Sequence, residues 1–433
     1  MQRREFLKFS ILSSLLYGAS ISGCQRKSRM DTDYALVYMK KVLEVLRGIE
    51  KYETPKLIQS AIRASKLYKA NGRLYSHTIW GHSPIYETRA DRLGNPNILP
   101  QWGWNISTEA FQQLRKGDFY FTNDVTEPVL ASRQRGTYVV GVSVPYLPSK
   151  YTLENKLVMS PDWYSIEEVS NIVLYSHVPF ENGLVDFPEY PMVPLCPGSA
   201  ISQFCYYWMM TAETSYQIRE KRTYPFISKA REYLIHIINL IHDIQKQLPL
   251  IKRAATKMTE NVIRGGTLYV YDKSHTLISE ACGRASGLMM TKALDFEKLK
   301  KYDNVIFGAE ISHDPNDLQL IQAIRDKEVF VVTISPFDSD GDNSGKRLNK
   351  SANVALNNLS GESDGVVEVI KNEPRICPAS GIMNVILLWS LTAQFIGEMI
   401  RYGFVPYVYM GYYLKGGKEY NDAVKPFFLE RGF

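Results

Sequence analysis

A histidine and a glutamate recur at one spacing in two distant parts of the chain. His82 precedes Glu87 by five residues, and His275 precedes Glu280 by five. An imidazole and a carboxylate that lie close together can pass protons to and from a bound molecule, which is the chemistry of general acid–base catalysis. The structural alternative is that each histidine caps a helix while each glutamate pairs with a nearby arginine, such as Arg284 or Arg92. Only the geometry of a pocket decides between these two hypotheses.

These residues belong to a chain that contains an internal duplication. The segment Cys377 to Ala393 repeats the segment Cys196 to Ala212 with seven identical positions in one frame, whereas typical residue usage gives about one match by chance. The offset is 181 residues, and a similar offset aligns Asn182–Val185 with Asp364–Val367. The sequence therefore predicts two copies of one structural unit.

Strand and helix patterns alternate in both copies. Continuous apolar runs such as Tyr138 to Val144 are typical of parallel strands that are buried on both faces. The alternation favours an α/β fold of two tandem doubly wound parallel sheets, one in residues 33–225 and one in residues 226–433. The other predicted strands are Arg73–Ile79, Asp118–Thr122, Thr267–Tyr271, Asn304–Phe307 and Val329–Ile334. The main predicted helices are Tyr34–Lys51, Lys56–Ala70, Ile85–Leu93, Ser199–Arg219, Ile227–Gln247, Leu250–Ile263, Leu277–Gly283, Asp317–Asp326 and Ser380–Arg401.

The first residues have the pattern of an export signal. Met1 to Lys8 reads MQRREFLK, which resembles a twin-arginine signal, and Ile21 to Cys24 resembles a lipobox. The apolar run between them is too short and too rich in serine to span a membrane. We therefore expect residues 1–24 to be a signal peptide, residues 25–32 a linker and Cys24 a lipidation site. The protein would then be exported by the twin-arginine route and anchored as a lipoprotein on the periplasmic or cell-surface side. The alternative is an ordinary export signal with an incidental cysteine.

The charge of the chain is concentrated at its N-terminus. Residues 1–30 contain six basic side chains and Glu5, so they carry +5 of the formal net charge of +6. The rest of the chain is nearly neutral and lacks the basic face that binding to nucleic acid requires. The basic linker residues Arg26, Lys27 and Arg29 suit a position near anionic headgroups beside a lipid anchor, or a solvated linker.

The five cysteines do not form the pattern of a disulfide framework. Cys196 and Cys377 are repeat mates, and we expect them, with Cys205 and Cys282, to be buried free thiols. The sequence has no CxxC pair and no cluster of His and Cys residues. Accordingly, it predicts neither a metal site nor a bound cofactor.

The order of the predicted elements resembles the sugar isomerase (SIS) domain, present twice between Asp33 and Phe433. Each copy has a helix pair, a glycine, a strand, a loop containing Ser or His, a helix, a second strand, a polar turn, a helix, an apolar strand and a long terminal helix. The resemblance implies that a sugar or sugar phosphate binds at loops that follow the carboxyl ends of strands. The corresponding residues are Ser274, Thr276, Ser312, His313 and Asn316 in the second copy and Thr122, Asn123 and Thr126 in the first.

Two loops depart from the pattern of this family. The first loop usually reads Gly-x-Gly-x-Ser, and here it reads Tyr271-Asp272-Lys273-Ser274-His275. In the second loop, Ser312 is followed by acidic residues and a proline instead of the usual glycine. Carboxylates at Asp314 and Asp317 would repel a phosphate but accept hydrogen bonds from sugar hydroxyls. An unphosphorylated sugar or an amino sugar is therefore an alternative ligand.

The resemblance also implies a chemistry for the repeated histidine and glutamate. In an aldose–ketose isomerase, Glu280 would be the base and His275 the acid or a hydroxyl-binding group, with Glu87 and His82 as their mates in the first copy. The second hypothesis is a non-catalytic protein that binds a sugar derivative, or a scaffold. The expected partners are a small sugar or sugar phosphate and the membrane surface, and the chain is a candidate for homodimerisation.

Two further segments contain aromatic residues or glycine. Trp102 and Trp104 either stack on a sugar ring or anchor their loop in the interior. The segment Tyr412 to Lys418 is predicted to be a surface turn in preference to a lid.

Overall fold

The computed structural model describes residues 32–80, 84–103, 108–153, 156–219, 228–337, 347–361 and 363–433. The predicted export signal, the lipidation residue Cys24, the catalytic candidate His82, Trp104 and the predicted domain boundary at residue 225 lie outside these residues.

The first copy contains one parallel sheet and one hairpin. The sheet consists, in spatial order, of β1 (Leu74–His77), β2 (Phe119–Thr122), β3 (Tyr138–Val142) and β4 (Ile172–Leu174). The antiparallel hairpin consists of β5 (Gly183–Val185) and β6 (Leu195–Pro197). The strand that precedes the long terminal helix therefore belongs to the hairpin and not to the main sheet.

The second copy repeats this arrangement. Its strands are β7 (Leu268–Asp272), β8 (Thr291–Ala293), β9 (Asn304–Gly308), β10 (Phe330–Ser335) and β11 (Val354–Asn357), followed by the hairpin strands β12 (Gly365–Val367) and β13 (Ile376–Pro378). The parallel sheet has the order β11-β10-β9-β7-β8. Strands β4, β8 and β11, which lie at the edges of the two sheets, are not predicted from the sequence.

Helices surround both sheets. In the first copy they are α1 (Tyr34–Gly48), α2 (Thr54–Lys69), α3 (Pro84–Glu87), α4 (Thr108–Gln112), α5 (Glu127–Gln134), α6 (Ile166–Val169) and α7 (Ser199–Arg219). In the second copy they are α8 (Lys229–Ile244), α9 (Leu248–Ile263), α10 (Thr276–Ala281), α11 (Pro315–Asp326), α12 (Leu348–Ser351), α13 (Ser380–Arg401) and α14 (Gly417–Arg431). A π-helical turn at Ile49–Glu53 joins α1 to α2, and 3₁₀ turns lie at Gln245–Gln247 and Phe296–Lys298.

Successive residues of the central strands face different cores. In β2, Phe119 and Phe121 join a core that the two copies share, whereas Tyr120 joins a core within the first copy. In β9, Ile306 joins the shared core and Val305 joins a core within the second copy. Both faces of each sheet are thus covered, which confirms the prediction of two doubly wound parallel sheets.

The two copies exchange their first helices. Helix α1 packs along α13 of the second copy, and α8 packs along α7 of the first copy. The backbone N–H of Ala35 donates to Gln394 Oε1 at 3.3 Å, and the backbone N–H of Ala230 donates to Glu213 Oε2 at 3.1 Å. Because of this exchange, the interface between the copies is itself hydrophobic core. Helix α13 is long and apolar enough to span a membrane, but it lies buried in this core.

The duplicated Cys-Pro-x-Ser segments occupy equivalent positions. Cys196 and Cys377 both have a left-handed backbone, with φ of 60° and 62°. The backbone N–H of each donates across to the other copy at 2.8 Å, Cys196 to the carbonyl of Ser286 and Cys377 to the carbonyl of Gly94. The duplication seen in the sequence is therefore also a pseudo-twofold symmetry of the structure.

One predicted helix is shorter than expected. The pattern from Ile85 to Leu93 predicts two turns or more, but α3 ends at Glu87. The Asn95 side chain donates to the carbonyl of Arg89 at 2.9 Å and so satisfies a group that a longer helix would have used. The chain turns here and directs Arg92 toward the other copy.

Candidate functional site

Glu280, the predicted base, lies in a buried ion pair of the second copy, at the interface with the first. Its Oε1 accepts hydrogen bonds from Arg284 Nε at 3.3 Å and from Trp389 Nε1 at 3.1 Å. Arg284 Nη2 donates in turn to Ser199 Oγ of the other copy at 2.7 Å. The Glu280 side chain has no exposed surface. The pairing with Arg284 is the structural alternative that the sequence left open.

Glu87 lies in the matching position of the first copy. It accepts hydrogen bonds from Arg92 Nε at 3.3 Å and from Trp208 Nε1 at 3.3 Å. Arg92 Nη2 reaches Ser380 Oγ of the second copy at 2.5 Å. The serine and the tryptophan in these contacts are identical positions of the duplicated segments. Those matches therefore mark two ion pairs, each within one copy, whose arginines hydrogen-bond to a serine of the other copy.

The surroundings of the two arginines differ. Arg92 Nη1 lies 2.7 Å from Asp364 Oδ2 and 3.1 Å from Glu310 Oε2, in addition to its contact with Glu87. Glu310 also pairs with Arg89 at 2.9 Å. Burial raises the pKa of Glu87 from its usual 4.5 to about 7, because the loss of solvation and the neighbouring carboxylates outweigh the attraction of Arg92. Three carboxylates thus contact Arg92.

A cavity of about 310 Å³ lies beside Arg284, between the two copies. Its walls come from the loops after β1 and β3, the turn before β5, the residues after α10 and a segment near the C-terminus. The lining residues are Ile79, Trp80, Tyr146, Phe180, Glu181, Asn182, Gly283, Arg284, Ala285 and the run from Tyr409 to Leu414. The cavity therefore opens at the carboxyl edge of the first sheet, where open α/β sheets bind their ligands.

Aromatic rings form much of the cavity wall. The Tyr413 ring lies 5.9 Å from the Tyr146 ring in a stacked arrangement, and 5.4 Å from the Trp80 ring edge-on. Trp163 supports both, with centroids 5.1 Å from Tyr413 and 5.8 Å from Trp80. Flat apolar surfaces with a few polar groups nearby suit a ligand that has one apolar face and several polar edges.

The C-terminal segment covers this cavity. The Val158 N–H donates to the Tyr413 carbonyl at 2.8 Å, and the Lys415 N–H donates to the Lys156 carbonyl at 2.8 Å. Behind it, the Asn421 side chain holds Met410 with hydrogen bonds to both of its backbone groups, at 2.9 and 2.8 Å. The segment therefore forms a turn in which Tyr412, Lys415 and Gly416 are exposed, as the sequence predicts, and it also joins the second copy to the first above the cavity.

The ligand-binding residues predicted in the second copy, and His275, lie outside the cavity. Ser274 Oγ donates to Asp272 Oδ2 at 2.6 Å, and Ser312 Oγ accepts from Arg347 Nη1 at 3.0 Å. His275 begins α10 with a left-handed backbone and an exposed side chain, so it does not share the buried environment of Glu280. Thr276 is buried, whereas His313 and Asn316 are exposed. None of these residues lines the cavity.

The predicted residues of the first copy organise the loop that carries Trp80. Thr122 Oγ1 donates to the carbonyl of His77 at 2.7 Å, and the Thr126 N–H donates to Asp124 Oδ1 at 3.1 Å. Asn123 Nδ2 donates to the Trp80 carbonyl at 2.6 Å, and Asn123 Oδ1 accepts from the Trp80 N–H at 3.2 Å. Asn123 thus holds a wall of the cavity without lining it.

Several lining residues escape the sequence analysis. Trp80, Tyr146 and Tyr413 come from three loops that the sequence gives no reason to bring together. Trp102, which was weighed as a sugar-stacking residue, packs instead against Tyr120 and other rings of the core within the first copy. A signal for Asn182 does exist in the sequence, because it aligns with Asp364 next to a glycine that both copies share.

Comparison with known proteins supports the fold. No family model matches the chain. A UPF0309 protein of Listeria monocytogenes is 26% identical over 235 residues, which cover 97% of that protein and 48% of this chain. A UPF0309 protein of Halalkalibacterium halodurans is 22% identical and covers 42% of the chain and 86% of its own length. These proportions are those expected when one relative corresponds to about half of a duplicated chain.

A solved structure extends the likeness to both copies. A candidate phosphosugar isomerase from Clostridium difficile 630 superimposes with a TM-score of 0.52 at 12% identity, over 84% of this chain and 92% of its own. At that identity the likeness concerns the fold and not the activity. Together with the two parallel sheets, it shows that the chain has the α/β fold of a tandem sugar isomerase domain.

Proposed function

We propose that the protein binds a carbohydrate derivative in the cavity beside Arg284. The observation that carries the proposal is the aromatic wall formed by Trp80, Tyr146 and Tyr413 at the carboxyl edge of a parallel sheet. Sugar rings present one apolar face and a rim of hydroxyls, so such a wall with a few polar groups at its border suits them. The volume of about 310 Å³ is at the lower end of the roughly 300–1,000 Å³ typical of small-molecule sites, which favours a ligand with one sugar ring.

A tyrosine variant tests this proposal. Tyr413→Ala removes one aromatic wall, and we expect it to weaken the binding of a monosaccharide ligand about fivefold, since such a ring contributes about 1 kcal/mol. Isothermal titration calorimetry measures the affinity. The control is Tyr302→Ala, which removes a partly exposed tyrosine of the second copy outside the cavity. If both variants bind alike, the cavity is not the binding site.

A catalytic role for Glu280 is the second candidate. The observation in its favour is that Arg284, its ion-pair partner, lines the cavity. For Glu280 to act as the base of an isomerase, its carboxylate would have to leave Arg284 and reach the ligand. Glu280→Gln should then abolish aldose–ketose interconversion while leaving ligand affinity within about twofold. Activity that survives this change rules out the assignment, and equal loss in Glu87→Gln indicates a structural effect.

We also propose that residues 1–24 direct export and that Cys24 anchors the protein as a lipoprotein. The supporting observations are the paired arginines Arg3 and Arg4 and the lipobox-like residues before Cys24. Cys24→Ala should move the protein from the membrane fraction to the soluble fraction. Lysine at both arginine positions should retain it in the cytoplasm. Fractionation that is unchanged in both variants contradicts the proposal.

A further inference from the structure

Asn182 and Asp364 occupy matching places in the two copies but offer different chemistry. Both precede a hairpin strand and have a left-handed backbone, with φ of 69° and 56°. Asp364 Oδ1 accepts from the backbone N–H of Ser380 at 2.8 Å, and Asn182 Oδ1 accepts from the backbone N–H of Ser199 at 3.1 Å. In each copy, therefore, Oδ1 accepts a hydrogen bond from the first backbone N–H of the long terminal helix.

The second atom of each side chain differs. Asp364 Oδ2 is an acceptor and lies 2.7 Å from Arg92 Nη1 and 2.7 Å from Ser380 Oγ. The Ser199 N–H fixes the oxygen of Asn182, so the other position of that side chain must be the amide nitrogen, which is a donor. Asn182 is 2% exposed, and within the described part of the chain its Nδ2 has no hydrogen-bond partner. A buried N–H₂ group at the cavity wall thus lacks an acceptor.

The neighbouring arginine has fewer acidic partners than its counterpart. Arg92 contacts three carboxylates, whereas the one ion pair that the described residues give Arg284 is with Glu280. Within the described part of the chain, the other partners of Arg284 are the neutral hydroxyls of Ser199 and Tyr146. A guanidinium has five N–H donors, so Arg284 retains donors for a ligand.

A third lining residue adds to this excess of donors. The Trp80 Nε1–H is buried and has no hydrogen-bond partner among the described residues. Buried donors without acceptors cost about 1–3 kcal/mol each, so such a cavity favours a ligand that supplies acceptor atoms. Among the described lining residues there is one acidic side chain, Glu181, and it already pairs with Lys156 at 3.3 Å.

We propose that the ligand is a sugar acid whose carboxylate binds Asn182 Nδ2 and Arg284. The carboxylate would do for Arg284 what Asp364 and Glu310 do for Arg92, while the sugar ring lies on the aromatic wall. This inference rests on the proposed function, since it specifies the class of carbohydrate derivative. A planar carboxylate matches the fork of a guanidinium, and it adds one negative charge beside the Arg284–Glu280 pair where a phosphate dianion would add two.

Matched sugars test the carboxylate. We expect D-glucuronate or D-galacturonate to bind about 10- to 100-fold more tightly than D-glucose or D-galactose by titration calorimetry, the range given by hydrogen bonds to charged groups. D-glucose 6-phosphate should gain no such advantage. Neutral sugars that bind as tightly as the acids, or a phosphate that binds more tightly, overturn the inference and leave the proposed function standing. If no sugar of the panel binds, the proposed function fails and the inference fails with it.

A variant that gives position 182 the residue type of position 364 tests where the carboxylate binds. Asn182→Asp places the acceptor of Asp364 beside Arg284, so it should weaken uronate binding at least about tenfold and leave the affinity for the neutral sugar within about twofold. The matched control is Asp364→Asn, which makes the reverse change outside the cavity and should leave both affinities unchanged. Circular dichroism establishes that both variants are folded. Uronate affinity that survives in folded Asn182→Asp overturns the assignment.

Discussion

Asp364→Asn should destabilise the protein, because it replaces an acceptor oxygen with a donor nitrogen in the buried ion pair of Asp364 with Arg92 of the other copy. The asparagine retains the oxygen that accepts from the backbone N–H groups of Ala379 and Ser380 at 3.1 and 2.8 Å. It replaces Oδ2, which lies 2.7 Å from Arg92 Nη1, with an amide that points donors at a guanidinium. Neither the amide nor Arg92 can then satisfy the other.

The structure sets the size of this effect. Breaking a buried ion pair by removal of one partner costs about 3–5 kcal/mol, and a hydrogen bond to a charged group contributes about 1.5–3 kcal/mol. Glu87 and Glu310 remain beside Arg92 after the change, so its charge does not become unpaired. We therefore expect the free energy of unfolding to fall by about 2 kcal/mol, which is within the range for a hydrogen bond to a charged group and below the range for a broken ion pair.

Urea unfolding followed by tryptophan fluorescence and by far-ultraviolet circular dichroism measures this loss, and coincident transitions establish that one free energy describes it. Asn182→Asp is the matched control, since it gives Arg284 a second carboxylate and should not lower the free energy of unfolding. If Asp364→Asn changes stability by less than about 0.5 kcal/mol, or if both variants lose equally, the carboxylates around Arg92 do not hold the copies together as argued.

Three further predictions concern the buried ion pairs of Glu87 and Glu280 at the interface between the copies. Burial raises the pKa of Glu87 from 4.5 to about 7, so between these pH values the folded state holds a proton that the unfolded state has released. The free energy of unfolding should therefore decline as the pH rises from about 4.5 to about 7, and Glu87→Gln should flatten that decline. A flat profile for the wild type contradicts this prediction. Trp389→Phe removes the Nε1–H donor to Glu280, and urea unfolding should show a loss of about 1–2 kcal/mol, whereas an unchanged midpoint would mean that the hydrogen bond adds nothing. Gly381→Ala would place a methyl group against the buried Glu87 carboxylate, so thermal unfolding should show about 1–3 kcal/mol of destabilisation, and a variant as stable as the wild type would show that the helix start can shift.

The sequence predicts the sheets well because their strands are physically distinctive. Runs such as Tyr138 to Val144 must be apolar on both faces, since helices cover both sides of the sheet. The edge strands β4 and β8 are short and carry partly exposed residues, so no such pattern marks them. The ends of α7 and α13 are also predicted to the residue, because each begins at the serine of the duplicated segment and ends at an arginine.

The candidate site is less predictable because its walls come from both copies. Glu280 and Arg284 are neighbours in sequence, and their pairing is among the predicted alternatives. No local pattern indicates that Tyr413 lies against Trp80, because that contact depends on how the C-terminal segment crosses to the first copy. The difference between Asn182 and Asp364 is visible in the sequence. Its effect on Arg92 and Arg284 cannot be predicted from the sequence, because it depends on contacts that these arginines make across the interface.

The difference between the two copies has a consequence for ligand stoichiometry. In a symmetric dimer of identical chains, any substitution appears on both sides of the interface. Joining both copies in one chain allows position 182 to be an amide while position 364 remains a carboxylate. With an amide at position 182, buried donors remain beside the cavity, whereas Asp364 and Glu310 provide acceptors for Arg92. Calorimetry should therefore give one bound ligand per chain, and two equivalent sites would mean that the carboxylates around Arg92 do not close the second copy to ligand.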